Sequence, residues 1–484
     1  MDMRGEQSRN GRTRALVAGA LILATVLLGA VARGKGSGGV LQPLRTKAVQ
    51  FAAPTSGSVK FSGTLDRAAV LRGTDGVARM ELVITGDTQP IEQPARVPTD
   101  LLVILDRSGS MSGEKLAQAR AAIRELVAQL GPQDRFGLVT YSNDATLVIP
   151  LTTADASARS RWVAAVAAIE ADGGTNMSSG LDLGLDTLEH ARSAGHVARA
   201  ILLSDGLANQ GDASRDGLLR RAARAAHGEY MLTTVGVGAD FNEYLMTALA
   251  DAGTGNYYYL RAGDDLASVF AREFGAARAT VASGLAVRIE PANGVRVLDA
   301  AGYPLEQAAD GVVFRPGALF AGQERRVWVT LAVPSDTVRD VELGRFTLSY
   351  VVGGERTTLA FTNAPTVSCV QNEDDFFAGI DVSSWTRSVL VDGYNAMQQQ
   401  VAEAVKSGRR DEALKAIGQF RAATTAMNAR VQSAPVAAQL KAVDKLEAEV
   451  GGAFVGDNQP AKQNELSKAR SAAALDERRA GSKQ

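Results

Sequence analysis

Asp106, Ser108 and Ser110 stand at alternate positions directly after five apolar residues in a row, Leu101 to Leu105. One carboxylate and two hydroxyls on a short loop offer only hard oxygen donors. Such a set suits Mg²⁺, Ca²⁺ or Mn²⁺ and suits zinc or copper poorly. Two further stretches bring similar chemistry: Gly173-Gly174-Thr175-Asn176 ahead of a helical pattern, and Ser204-Asp205-Gly206 at the end of the apolar run Ala200 to Leu203.

The elements around these residues explain why they could meet. Five consecutive apolar residues read as a strand covered on both faces, the kind found in parallel sheets. From about Thr99 to Arg278, strands alternate with helices. That rhythm predicts an α/β fold, a doubly wound and mostly parallel sheet with helices on both faces. Ligands in such sheets sit beyond the carboxyl ends of the strands, where three loops would bring Asp106, Ser108, Ser110, Thr175 and Asp205 together. Each piece alone has a plainer reading. The serines could cap the helix that begins near Glu114, Asp205-Gly206 could be a turn, and Gly173-Gly174 a flexible loop.

With all three stretches in order and correctly spaced, Thr99 to Arg278 resembles the von Willebrand factor type A domain with a metal-ion-dependent adhesion site. The resemblance implies a divalent cation, Mg²⁺ foremost and Ca²⁺ or Mn²⁺ as alternatives. Its ligands would be Asp106, Ser108, Ser110, Thr175 and Asp205, with Thr175 and Asp205 acting directly or through water. It also implies a protein partner that offers an Asp or Glu carboxylate to the ion, and movement of the last helix, here Asp264 to Arg278.

Enzyme readings find less in the sequence. Ser112-Gly113-Glu114-Lys115 matches the Ser-x-x-Lys of serine acyl-transferases, but the companion Ser-Asp-Asn and Lys-Thr-Gly elements are absent. A phosphoryl-transfer site would want a second carboxylate or a lysine beside Asp106. The sequence has no Walker-type loop, so nucleotide binding is not expected.

The chain has 484 residues and a net charge of −1, which gives no reason to expect nucleic acid as a partner. Its three histidines are scattered, and its single cysteine, Cys369, forms no intramolecular disulfide. Arg4, Arg9, Arg12 and Arg14 precede an apolar run from Ala15 to Ala32 that ends in Ala30-Val31-Ala32, the pattern of a secretory signal. An uncleaved anchor over residues 15–32 is the alternative, and either places the remainder in the cell envelope, the periplasm or outside the cell.

The expected order is therefore a signal peptide or membrane anchor over 1–32, a linker over 33–48, an antiparallel β segment over 49–98 and the type A domain over 99–280. A second β segment over 281–366 follows, either paired with the first in one sandwich or independent of it. A helical region over 367–450 and a disordered tail over 451–484 complete the chain. The function expected is a cation-dependent protein-binding module, in adhesion or complex assembly, and not an enzyme. A membrane-tethered assembly or regulatory subunit using its helical tail is one alternative, and a metal-dependent hydrolase another.

Overall fold

The computed structural model describes residues 50–54, 59–87, 98–191, 196–205, 208–228, 230–237, 243–260, 266–271, 280–352 and 355–480. The signal or anchor at 1–32, the linker at 33–48, Gly206 and parts of the helix expected at 264–278 lie outside these residues.

The α/β block is built on one six-stranded sheet. Its strands are β5 (Thr99–Asp106), β6 (Arg135–Tyr141), β7 (Ala145–Thr153), β8 (Val197–Ser204), β9 (Met231–Val237) and β10 (Thr254–Leu260), in the order β10-β9-β8-β5-β6-β7. Every pairing is parallel except that of the edge strand β7. β5 is buried along its whole length, because alternate residues serve two different cores. Leu101, Val103 and Leu105 pack with Ile123 and Leu126 of helix α1 (Glu114–Gln129) and Trp162 of α2 (Ala156–Ala167). Leu102 and Ile104 pack on the other face with Leu181 and Leu185 of α3 (Met177–Ala191) and with Leu218 of α4 (Arg215–His227). Each such side chain contributes about 1.5–3 kcal/mol. Helix α5 (Glu243–Ala252) covers the same second face through Met246 and Leu249. α3 approaches the sheet closely because it carries glycine at the contact: a Cβ on Gly184 would lie 2.4 Å from Ile104 Cδ1.

Most of the flanking strands form two five-stranded antiparallel sheets over one core, to which a further three-stranded sheet (Arg339–Glu342, Thr366–Val370 and Ala69–Leu71) adds Val341, Val367 and Val70. β4 (Val77–Gly86), ahead of the α/β block in sequence, pairs with β15 (Glu324–Ala332) behind it, from Val77 opposite Ala332 to Thr85 opposite Glu324. Met80, Leu82 and Ile84 then share a core with Val287, Ile289, Phe346 and Leu348. Strand alternation places one face of each sheet inward, so two sheets bury what neither could alone.

The C-terminal region is helical: α6 (Glu373–Ala378), α7 (Val382–Arg387), a π-helical segment Ser388–Gly393, α8 (Tyr394–Lys406), α9 (Arg410–Val431), α10 (Ala434–Ala453) and α11 (Gln459–Ala480). α9 and α10 are separated at Gln432 and Ser433. Gln432 adopts φ +57°, Ser433 caps α10, and Pro435 fits in the first turn, where its missing N–H costs nothing. The tail at 451–484, expected to be disordered, is corrected by α11, which packs back on α8. Its small residues Ser467, Ser471 and Ala474 are buried against the bundle, while Arg470 bonds Glu449 of α10 and lies 3.4 Å from Gln398 of α8. Among the described residues no helix is long and apolar enough to cross a membrane.

Candidate metal centre

The strand order places the site. From β5 the chain runs to β6 and β7 on one side, then returns to β8 on the other, so the carboxyl ends of β5 and β8 flank the point where the winding reverses. In open α/β sheets this is where ligands bind. Asp106 is the last residue of β5, and Asp205 directly follows Ser204, the last residue of β8.

Asp106 is fully buried and held by neutral donors. Its Oδ1 accepts from Ser108 N at 2.8 Å and its Oδ2 from Ser204 Oγ at 2.7 Å. Burial pushes its carboxyl above the ordinary aspartate range, the bonds from Ser204 and Ser108 oppose the shift, and the charge of Asp205 adds to it. Tyr141, opposite Asp106 in the parallel register with β6, is fully buried too. Burial and then the Asp106 charge hold its phenol well above the ordinary range.

The hydroxyls join the two strand ends. Ser108 Oγ lies 3.1 Å from Ser110 Oγ, and Ser110 Oγ donates to Asp205 Oδ1 at 2.8 Å. Ser110 stands in a short 3-10 turn, Gly109–Met111, before Gly113 turns the chain into α1 at φ +78°. Lys115, in the first turn of α1, bonds Asp205 Oδ2 and donates to Ser110 O at 3.3 Å.

Thr175 reaches the same edge through backbone. Gly109 N donates to Gly173 O at 3.0 Å, which fastens the loop ahead of α3 to the Ser108–Ser110 loop. Thr175 itself is buried, with its N–H donating to Asn209 Oδ1 at 2.9 Å and its carbonyl accepting from Asn209 N at 3.1 Å. The five residues singled out from the sequence are thus gathered at one sheet edge. Ser204, Tyr141 and Asn209 were not among them. Their roles depend on which strands and loops are neighbours, although Ser204 directly precedes Asp205 and could have been suspected.

The donor set fits a hard cation: two carboxylates and three hydroxyls, all oxygen, with the charged pair out of solvent. Among the described residues no group of three or more His, Cys, Asp or Glu side chains is placed to hold a metal, so the fit rests on this hydroxyl-rich set.

Comparison with known proteins agrees with this architecture. A family model for the von Willebrand factor type A domain matches residues 100–272. The protein YfbK of Escherichia coli is 30% identical over 210 residues, 43% of this chain and 36% of that protein. Human inter-alpha-trypsin inhibitor heavy chain H4 is 31% identical over 160 residues, 32% of this chain and 17% of its own. This chain therefore spans well under half the length of either relative. A solved von Willebrand factor type A protein from Catenulispora acidiphila superposes with a TM-score of 0.61 at 18% identity, covering 87% of this chain and 98% of that one. The ArnB paralog VWA2 from Sulfolobus acidocaldarius does so with a TM-score of 0.50 at 18% identity, covering 88% and 99%. These two similarities establish the shared fold, extending well beyond the matched domain. With its parallel sheet and its reversal at β5 and β8, the α/β block over residues 100–272 matches the von Willebrand factor type A domain and shares its fold.

Proposed function

We propose that the chain is an exported, divalent-cation-dependent protein-binding module, in which Asp106, Ser108, Ser110, Thr175 and Asp205 hold the ion and a partner's Asp or Glu carboxylate completes its shell. The observation that carries this reading is the 2.8 Å bond from Ser110 Oγ to Asp205 Oδ1, which joins the loops after β5 and β8 at the winding reversal. A bound Mg²⁺, Ca²⁺ or Mn²⁺ would supply Lewis acidity toward an anionic oxygen. The chain's own contribution is positioning. Ser204 and the Ser108 N–H fix both oxygens of Asp106, and neutral hydroxyls supply much of the remaining shell, which leaves room for one more oxygen donor. Ser108 and Ser110 hydroxyls contact each other and Asp205, not an imidazole, and this favours capture over nucleophilic catalysis. Export rests on the basic and apolar pattern of residues 4–32.

The test is thermal unfolding of the full chain in EDTA and then in Mg²⁺, Ca²⁺ or Mn²⁺, beside Asp106→Ala. An ion that binds only the folded state at a hundredfold excess over Kd adds about 2.7 kcal/mol. The wild type should gain a higher midpoint and Asp106→Ala should not. No gain with any of the three ions, or an equal gain in the mutant, overturns the reading.

A further inference from the structure

Lys115 carries its charge where its helix disfavours one. It is the second residue of α1, and the first turn of a helix favours negative charge, as Glu114 supplies. Its ammonium turns back past the turn to bond Asp205 Oδ2 and, at 3.3 Å, the carbonyl of Ser110. The Lys115 side chain is 32% exposed and that of Asp205 fully buried, so the amine covers the carboxylate from the solvent side. Both oxygens of Asp205 are thereby engaged, Oδ1 by the Ser110 hydroxyl and Oδ2 by Lys115.

We propose that Lys115 is a tethered counter-cation that competes with the divalent ion for Asp205 and so sets the affinity of the site. The inference rests on the metal-site reading above and extends it to the regulation of that site. Asp106 and Asp205 together carry two negative charges, and Lys115 returns one positive charge on Asp205. A divalent ion must displace the ammonium, which loses its attraction to Asp205, or share the site with it, which costs like-charge repulsion at short range, and either lowers affinity. With the ion and Lys115 both present, the three side chains and the ion sum to one positive charge, which a partner's carboxylate neutralises. The lysine therefore weakens the ion alone and favours the ion together with its anionic ligand. This also gives a role to the lysine of the Ser112-Gly113-Glu114-Lys115 tetrad, whose partner is Ser110 and not Ser112.

The test is Mn²⁺ binding to the full chain, read by electron paramagnetic resonance of free against bound Mn²⁺ at low salt. Lys115→Met keeps most of the unbranched stem and removes the charge, and it should bind Mn²⁺ about tenfold more tightly than the wild type. Lys115→Arg keeps the charge and should stay within about threefold of it. In EDTA, Lys115→Met should unfold at a lower temperature than the wild type, since Asp205 loses its counter-cation. If Lys115→Met fails to fold, Lys115→Gln serves in its place. A wild type that binds Mn²⁺, beside a folded neutral variant that binds it no more tightly, overturns this inference alone. Absence of Mn²⁺ binding in the wild type and both neutral variants overturns the metal-site reading and this inference with it.

Discussion

Ser204 Oγ donates to Asp106 Oδ2 at 2.7 Å, tying together the carboxyl ends of two neighbouring parallel strands through fully buried side chains. The bond orients the Asp106 carboxylate from below while Ser108 N orients it from the loop above. It also opposes the upward push that burial exerts on this carboxyl. Hydrogen bonds to charged groups contribute about 1.5–3 kcal/mol. Ser204→Ala should therefore lose about that much stability in EDTA, as measured by urea unfolding. An unchanged midpoint would show that Asp106 does not depend on this donor.

Gly173 holds the Thr175 loop in a conformation that other residues resist. Its φ is +77°, and a Cβ there would stand 2.9 Å from Asn143 Oδ1, the same atom that accepts from Gly174 N at 2.7 Å. Its carbonyl accepts from Gly109 N, so displacing it loosens the join between the first and second site loops. Gly173→Ala should cost about 1–3 kcal/mol from backbone strain. It should also shrink the midpoint rise expected of the wild type with Mn²⁺. Thermal unfolding with and without the ion reads both effects, and a mutant with the full wild-type rise would release Gly173 from any part in the site.

What was legible in the sequence was local. Five apolar residues ending at Asp106 announce a doubly covered strand, and Asp106, Ser108 and Ser110 lie within five positions of one another. Ser204 and Tyr141 became part of the site only through pairing, since β8 and β6 flank β5 from 98 and 35 residues away along the chain. The tail misled for a different reason. Ser467, Ser471 and Ala474 give almost no hydrophobic signal, yet their small size lets α11 lie close against α8 and bury its backbone. Burial by small residues is invisible to a reading that looks for large apolar ones.

Glu81 links the sandwich to the helical region. It lies on β4 with its side chain 3% exposed, and its Oε1 accepts from Arg326 Nη1 of β15 at 2.9 Å while its Oε2 accepts from Arg387 Nη2 of α7 at 2.8 Å. Breaking a fully buried pair costs about 3–5 kcal/mol. Here the arginine side chains are 37% and 42% exposed and can turn to water, which lowers the cost. Glu81→Gln should lose about 1–2 kcal/mol, the lower end expected for a half-solvated network. The loss should be smaller in high salt, and urea unfolding at two ionic strengths checks both statements. Equal losses at both salt levels would mean that packing, and not charge, sets the role of Glu81.

Asp212 gives the chain a site-linked acid sensitivity. It accepts from Ser214 Oγ at 2.5 Å and from Arg221 Nη1 at 2.8 Å, and its own N–H donates to Ser178 Oγ at 3.0 Å, binding the 208–214 loop to the start of α3. The Ser214 hydroxyl first, then Arg221, lower its carboxyl from 3.8 to about 2. A carboxyl depressed on folding adds stability that is fully present above the unfolded value and is lost as pH falls through the folded one. The window here runs from 3.8 down to about 2. Asp212→Asn keeps the shape and removes the charge, so it should be less stable than the wild type at neutral pH. That difference should narrow below pH 3.8 and close near pH 2. Thermal midpoints of the two proteins across this range, with the Asp212 carboxyl carbon followed by NMR, test the assignment. A carboxyl that titrates near 3.8, or a stability gap unchanged down to pH 2, would break the link between this ion pair and the loop beside Thr175.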